Sequence, residues 1–193
     1  MNEQEQFWSG ADGDAYTRRN SKVDWRARIP FWHDIMKFTG ARSVYEVGCG
    51  AGFNLSAIAE ASPHTVRLFA CEINEQAARQ ARYAIDAEIY EAPAEQGEAH
   101  GAIELVFTAG ALIHVAPENL ESLMRLIVNT SSRYVLAIEY FSEVEEMVNY
   151  RGEDDRLWKR NYGVLYQALG LKQLHAGEAT GFDRCQYALL EKP

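Results

Sequence analysis

The residues most able to do chemistry lie in a glycine-rich segment at 46–55, which reads Glu-Val-Gly-Cys-Gly-Ala-Gly-Phe-Asn-Leu. An apolar run precedes this segment and a helical pattern follows it, so Gly48, Gly50 and Gly52 lie where a strand turns sharply into a helix. Such a turn lets the backbone approach a ligand closely, and the first N–H groups of the helix are free to bind it. The segment therefore predicts a ligand-binding loop.

The spacing of the glycines separates this loop from two phosphate-binding motifs. A P-loop needs a Lys-Ser/Thr pair after its glycines, and none follows here. The dinucleotide motif GxGxxG needs its third glycine where this chain has Phe53. A nucleoside triphosphate and a nicotinamide dinucleotide are therefore both disfavoured as ligands.

Two carboxylates near the loop indicate which ligand it binds. Glu46 lies two residues before the first glycine, where it would repel a pyrophosphate and attract a cationic group such as an amino-acid ammonium. Glu72 ends the second predicted strand twenty residues after Gly52, and a carboxylate there can accept both hydrogen bonds from a ribose diol. The glycines alone would fit an ordinary tight turn, but together with the two acids they favour S-adenosylmethionine.

The elements that must position these residues alternate between strands and helices, which is typical of parallel α/β sheets. We predict an α/β fold with a Rossmann-like seven-stranded sheet, mostly parallel with a C-terminal antiparallel strand, and helices on both faces. Strands are predicted at 43–47, 67–71, 88–91, 103–108, 133–138, 171–175 and 186–191, and helices at 55–61, 75–85, 120–128 and 156–169.

Length and composition fit one folded domain. The chain has 193 residues, 47% hydrophobic and 24% charged, and this balance excludes a disordered chain and a coiled coil. We therefore predict a single domain over 1–193, in which 1–40 form helices laid over the sheet edge. No apolar run is long enough to span a membrane, and the acidic start does not fit a signal peptide, so we expect a cytoplasmic protein without a membrane partner.

Charge and cysteine usage narrow the choice of partners. The net charge of −9 disfavours binding to the phosphate backbone of nucleic acids. Cys49, Cys71 and Cys185 are an odd number without CxxC spacing, so neither a disulfide framework nor a zinc site is predicted. We expect a small-molecule acceptor, no nucleic acid, no metal, and a monomer or homodimer.

On its glycine loop and acids, the chain resembles the class I S-adenosylmethionine-dependent methyltransferases over nearly its whole length. The resemblance implies that the methionine part of the cofactor lies over 46–52, the ribose on Glu72, the adenine beside Ala94 and Glu95, and the methionyl part near 108–112. The cofactor is then S-adenosyl-L-methionine and its product S-adenosyl-L-homocysteine. The cofactor-binding residues so implied are Trp8, Tyr16, Arg19, Glu46, Gly48, Gly50, Gly52, Asn54, Leu55, Glu72, Ile73, Ala94, Glu95, Thr108 and Gly110.

A narrower resemblance is to the methylases associated with pseudaminic acid biosynthesis. It is carried by the segments EQEQFWSG (3–10), DAY (14–16), RN (19–20), LVFT (105–108), LIH (112–114), EY (139–140), NYRG (149–152) and LWKR (157–160). The resemblance implies a small-molecule methylase, with an anionic sugar or a nonulosonic-acid-type metabolite as acceptor.

Methyl transfer from a sulfonium depends mainly on alignment and desolvation, so a strong base is optional. If the acceptor is a hydroxyl, His114 is the best-placed base, since it follows the fourth strand and titrates near neutrality. The alternative is a structural histidine that caps the helix starting near Pro117. Glu139 and Tyr140 end the fifth strand at its carboxyl edge, where open α/β sheets bind ligands, and are the other catalytic candidates.

The predicted acceptor contacts come from two later segments. Tyr150 and Arg151, with Lys159 and Arg160, can supply cations to an anionic acceptor. The alternative is a solvated ion-pair surface, because the acids at 153–155 lie among these bases.

The N-terminal segment interleaves bases with aromatic residues. It can bind RNA, or it can form a lid with Arg19 on the cofactor carboxylate and Trp8 or Tyr16 on the sulfonium, and we favour the lid. A tRNA or protein methyltransferase and a non-catalytic S-adenosylmethionine-binding module stay as alternatives. The bases concerned are Arg18, Arg19, Lys22, Arg26 and Arg28.

Overall fold

The computed structural model describes residues 1–94, 96, 102–150 and 152–193. Its strands are β1 (Ser43–Val47), β2 (Arg67–Glu72), β3 (Glu88–Glu91), β4 (Ile103–Ala109), β5 (Ser131–Tyr140), β6 (Glu146–Met147), β7 (Trp158–Lys159), β8 (Lys172–Glu178) and β9 (Cys185–Glu191). Its α-helices are α1 (Glu3–Ser9), α2 (Ala11–Asn20), α3 (Ile29–Thr39), α4 (Phe53–Ala61), α5 (Glu75–Ala84), α6 (Pro117–Thr130) and α7 (Tyr162–Ala168). Short 3₁₀ turns lie at Trp25–Arg28 and Leu112–His114.

Seven of these strands form one sheet in the order β3-β2-β1-β4-β5-β9-β8. The pairs from β3 to β5 are parallel, whereas β9 runs antiparallel to both β5 and β8. The predicted fold class is therefore confirmed. The chain builds outward from β1 to β3 and then returns to the other side of β1 with β4, and an open sheet binds ligands where its strand order reverses in this way.

Both faces of the sheet are covered, as the apolar strands require. All five residues of β1 are buried, with Val44 facing the cluster that contains Trp32 of α3 and Tyr45 facing the cluster that contains Leu123 of α6. A strand buried on both faces can expose polar groups to a ligand only at its ends. The binding groups must therefore come from the loops after the strands.

The segment at 156–169, predicted as one helix, is divided. Trp158 and Lys159 pair with β6 in a two-stranded antiparallel sheet, and the helix begins only at Tyr162. Asn161 caps that helix, because its side chain accepts a hydrogen bond from the Val164 N–H at 3.2 Å. The prediction missed this internal start signal.

The first forty residues divide into two parts. Helix α3 belongs to the core, where Trp32 and Met36 are fully buried. Helices α1 and α2 lie instead across the carboxyl edge of the sheet, where the Asn74 side chain donates to the Trp8 carbonyl and the Ala116 N–H donates to the Gln4 side chain. Within the described part of the chain, no helix is both long and apolar enough to cross a membrane.

We expect Gly52→Ala to lower the free energy of unfolding by about 2–3 kcal/mol. The residue has φ +79°, and a Cβ there would lie 3.1 Å from the Ala81 Cβ, so backbone strain and crowding both oppose the substitution. Gly40→Ala is the matched control, because Gly40 has φ +62° but open space around the added Cβ, and it should lose only about 1 kcal/mol. Urea unfolding measures both, and equal losses would show that packing against Ala81 does not constrain this position.

Candidate active site

The carboxyl ends of β1, β2 and β4 open into a cavity of about 680 Å³. The glycine loop, the residues that follow β2 and β4, and helices α1 and α2 line it, together with Tyr140, Tyr150 and Phe182. The cavity lies at the point where the strand order reverses, and its size suits a small molecule or a cofactor.

The three positions of the loop require glycine for different structural reasons. Gly48 and Gly50 line the cavity, whereas Gly52 is buried against Ala81 of α5. Gly50 has φ +54° with no atom within 4 Å of the Cβ position, so its backbone is open to a ligand. A Cβ on Gly48 would lie 3.2 Å from the Ala111 Cβ. The loop thus leaves the backbone of Gly50 accessible to a ligand, whereas Gly48 and Gly52 pack closely against neighbouring alanines.

Glu72 ties the glycine loop to the end of β2. Its Oε2 accepts a hydrogen bond from the Gly50 N–H at 2.7 Å, and its Oε1 accepts one from the Asn74 N–H at 2.8 Å. Burial raises the pKa of this carboxyl above its ordinary value, and the backbone N–H groups of Asn74, Gly50 and Ile73 oppose that rise. The carboxylate therefore lies on the cavity wall at a position held by backbone groups.

Glu46 is fully buried and is joined to Arg28 through one amide. The Asn54 side chain donates to Oε1 of Glu46 at 2.6 Å and accepts a hydrogen bond from Nη1 of Arg28 at 2.7 Å. Burial raises the pKa of Glu46 to about 8 and lowers the pKa of Arg28. Oε2 of Glu46 and Nε of Arg28 are buried and have no hydrogen-bond partner among the described residues.

These two orphaned atoms test whether the cavity fits S-adenosylmethionine. Buried polar atoms without a partner are rare in native proteins, and beside a cavity a ligand or a water can supply the partner. Here one lies on an acid and the other on a base, and both residues line the same cavity. The ammonium and carboxylate of an amino acid would complement them, so the residues fit the amino-acid end of the cofactor.

A cluster of aromatic rings surrounds His114 on the cavity wall. The ring centroid of His114 lies 4.4 Å from that of Trp8 and 5.2 Å from that of Tyr150, and Trp8 also packs edge-on against Tyr16 at 5.6 Å. Nδ1 of His114 lies 2.7 Å from the Arg156 carbonyl, which can only accept, so Nδ1 carries the proton. Burial lowers the pKa of His114 to about 4, which leaves a neutral ring with a lone pair on Nε2.

Most of the residues predicted for the site line the cavity, and three lie behind its wall. Gly52 and Leu55 are buried in the loop and in α4, and Thr108 is buried at the end of β4. Glu95 and Arg151 lie outside the described residues. The predicted residues that line the cavity are Trp8, Tyr16, Arg19, Glu46, Gly48, Gly50, Asn54, Glu72, Ile73, Ala94, Gly110, His114, Tyr140 and Tyr150.

Three charged residues predicted to contact the acceptor or to act in catalysis are not brought to the cavity. Glu139 is buried and accepts hydrogen bonds from backbone N–H groups, and Arg160 is buried and donates to backbone carbonyls. Lys159 forms an ion pair with Glu146 at 3.7 Å in the β6–β7 hairpin. A buried ion must be hydrogen-bonded, and Glu139 and Arg160 find backbone partners instead of a ligand, whereas Lys159 is only partly buried and pairs with an acid of the neighbouring strand.

Arg28 is a site residue that sequence reasoning does not single out. Its guanidinium lies 4.5 Å from the ring centroid of Phe182, in the β8–β9 loop, and both residues line the cavity. In the sequence Arg28 is one of several bases in the N-terminal segment, and nothing in the spacing distinguishes it. Among the residues that the structure describes, no three His, Cys, Asp or Glu side chains form a group that could hold a metal ion.

Comparison with known proteins shows that this fold is similar to that of methyltransferases. Residues 44–131 match the model of a family described as a methyltransferase domain. The magnesium protoporphyrin IX methyltransferase of Synechocystis PCC 6803, solved with bound S-adenosylmethionine, superposes with a TM-score of 0.72 at 11% identity, covering 100% of this chain and 99% of its own. The sugar N-methyltransferase KedS8 of Streptoalloteichus sp ATCC 53650 gives 0.70 at 14% identity, covering 93% and 92% of the two chains. No curated protein sequence matches the chain.

A third solved structure has the same fold. The 1,6-didemethyltoxoflavin-N1-methyltransferase of Burkholderia thailandensis gives a TM-score of 0.73 at 14% identity, covering 94% of this chain and 86% of its own. The matched segment 44–131 contains the glycine loop and both acids beside it. Residues 44–131 therefore match a methyltransferase domain, and the chain has the Rossmann-like fold seen in S-adenosylmethionine-dependent methyltransferases.

Glu46 should make the free energy of unfolding depend on pH. Its folded-state pKa of about 8 exceeds its ordinary 4.5, so the stabilisation is full below about pH 4.5 and is lost as the pH rises through 8. The loss is at most about 1.4 kcal/mol for each pH unit. Glu46→Gln stays neutral and keeps the acceptor for Asn54, so its stability should match the wild type near pH 5 and exceed it at pH 8.5. Urea unfolding without ligand tests this, and parallel pH curves would contradict it.

Proposed function

We propose that the chain transfers the methyl group of S-adenosylmethionine to a small-molecule acceptor in the cavity described above. The observation that carries the proposal is the pair of unpartnered buried atoms on Glu46 and Arg28. Glu46 would accept a hydrogen bond from the ammonium of the cofactor, and Arg28 would donate to its carboxylate. When bound, the cofactor supplies a methyl group activated by a sulfonium.

Other residues of the cavity support binding of the adenosine part. Glu72 presents a carboxylate held by two backbone N–H groups, and a carboxylate in this position suits a ribose diol. Ile73 and Ala94 line the cavity nearby and offer apolar contact to a flat base. In this proposal the open backbone of Gly50 lets the ligand approach closely.

The acceptor would lie against Trp8, His114 and Tyr150. Nε2 of His114 can accept a hydrogen bond from a hydroxyl or an amine, and the Nδ1–H bond to the Arg156 carbonyl fixes that tautomer. In this position the imidazole takes up the proton that the acceptor loses on methylation. The rings of Trp8 and Tyr150 would pack against the acceptor and exclude water from it.

The finer identity of the acceptor is proposed from the sequence resemblance. We propose a ring-shaped, hydroxyl-bearing metabolite, with an anionic sugar or nonulosonic-acid-type compound first among the candidates. Among the described residues, Arg19 and Arg28 line the cavity, and Arg19 is left for an acid group of the acceptor when Arg28 binds the cofactor, whereas Lys159 and Arg160 do not reach the cavity. In this proposal 1–193 act as one domain, with α1 and α2 as its lid.

Calorimetry is the first test. The purified protein is titrated with S-adenosylmethionine and S-adenosylhomocysteine, and with NADH as the control ligand. We expect binding of the first two only, followed by S-adenosylhomocysteine release in a screen of anionic sugars and their neutral counterparts. Failure of folded protein to bind either adenosyl ligand would refute the proposal.

Arg28→Met should weaken S-adenosylhomocysteine binding about 10- to 100-fold, because a hydrogen bond to a charged group contributes about 1.5–3 kcal/mol. Arg26→Met is the matched control, since Arg26 lies in the same 3₁₀ turn but stacks on Trp25 at 4.2 Å and does not line the cavity. An analogue of the ligand without its carboxylate identifies the contact. The wild type should bind that analogue more weakly than S-adenosylhomocysteine, and Arg28→Met should bind the two alike.

A further inference from the structure

The turn that carries His114 has little structure of its own. It is a three-residue 3₁₀ turn, Leu112–His114, between Gly110 and the start of α6. The first N–H groups and last carbonyls of so short a turn have few internal partners, and the hydrogen-bond geometry of a 3₁₀ turn is poor. Something outside the turn must therefore hold it against the cavity.

Glu139 satisfies the amino end of this turn. Its Oε1 accepts hydrogen bonds from the N–H groups of Ala111 and Leu112, both at 3.2 Å, and its Oε2 accepts one from the N–H of Ile113 at 3.3 Å. The side chain is 2% exposed and does not line the cavity. The three N–H groups belong to consecutive residues, Ala111 immediately before the turn and Leu112 and Ile113 within it.

Arg160 satisfies the carboxyl end of the same turn. Its Nη1 donates to the carbonyls of Leu112 at 3.2 Å and Val115 at 3.0 Å, and its Nε donates to Glu145 at 2.6 Å. Like Glu139 it is 2% exposed and away from the cavity wall. The two buried side chains thus hold opposite ends of the 111–115 turn, which is the 3₁₀ turn with one residue on each side.

The same segment that carries Arg160 also fixes the imidazole. The Arg156 carbonyl accepts the Nδ1–H of His114, and Arg156 precedes Arg160 by one short stretch of chain that includes β7. Buried ions cost more free energy than well-packed apolar residues of similar size, so stability alone is a weak reason for two of them here. Their hydrogen bonds instead specify one backbone conformation.

We infer that Glu139 and Arg160 are positioning residues for methyl transfer: together they clamp the 111–115 turn so that His114 presents Nε2 to the acceptor. The inference rests on the proposed function for its purpose, since it assigns His114 to the acceptor side of the cavity. The clamp can be tested without measuring activity, because it fixes the position and protonation of the His114 ring in the protein without ligand.

Nuclear magnetic resonance of the histidine rings in the full chain tests the clamp. In the wild type we expect a neutral His114 with a protected Nδ1–H, assigned by loss of its signals in His114→Ala. Arg160→Lys cannot bridge both carbonyls and Glu145, and Glu139→Gln has only one acceptor oxygen for three N–H groups. Each should speed exchange of that proton with water about tenfold or more and raise the pKa of His114 by about one unit.

Lys159→Gln is the matched control. Lys159 is the neighbouring base, but its ion pair with Glu146 does not touch the turn, so the His114 signals should stay as in the wild type. The signals of His33 and His64, which bond other carbonyls, serve as internal references. Unchanged His114 signals in folded Glu139→Gln and Arg160→Lys would overturn the clamp.

Two further measurements distinguish failure of the clamp from misfolding of a variant and from failure of the proposed function. If a clamp variant fails to show a cooperative thermal transition, Glu145→Gln replaces it, because Glu145 is half exposed and its loss frees only one side of Arg160. This variant should speed the same exchange to a smaller extent, and no change would count against the clamp. Binding of S-adenosylhomocysteine is measured in parallel: its absence in the wild type refutes the proposed function, whereas unaltered His114 signals refute the clamp alone.

Discussion

The hydrogen-bond chain from Arg28 through Asn54 to Glu46 is the interaction on which the rest of the site depends. It joins the turn before α3, the first residues of α4 and the carboxyl end of β1, three segments that are separated in sequence. A buried carboxyl and a partly buried guanidinium meet only through an amide, and each keeps one buried atom without a partner among the described residues. Leaving a buried polar atom unpaired costs about 1–3 kcal/mol, and the zwitterionic ligand that we propose would remove that cost.

The buried residues Glu139 and Arg160 differ from Glu46 and Arg28 in the groups that they contact. Glu139 and Arg160 find several backbone partners each, all within or beside one short turn. Backbone hydrogen bonds to a buried charged group fix a local conformation, whereas a charged residue that lines a cavity can contact a ligand. The two kinds of residue look alike in a sequence. Their difference lies in what surrounds them after folding.

The fold could be predicted in most of its elements because local patterns match the tertiary arrangement. Runs such as 43–47 and 88–91 contain β-branched and aromatic residues, and the structure has strands at those same bounds. The prediction fails between 142 and 161, where charged residues obscure the period and two-residue strands form only by pairing with each other. The start of α7 moves to Tyr162 because Asn161 provides a cap inside the expected helix.

What the sequence by itself determined is the glycine loop, the two acids beside it and the α/β class, since each depends on residues close together in the chain. Only the tertiary structure decided which charged residues reach the cavity. Arg28 reaches it from a basic segment without a distinguishing motif, while Arg160 turns inward to the carbonyls of the 111–115 turn. The physical reason is that hydrogen-bond partners for a buried ion come from elements far apart in sequence, and their distances exist only once the sheet and its loops have assembled.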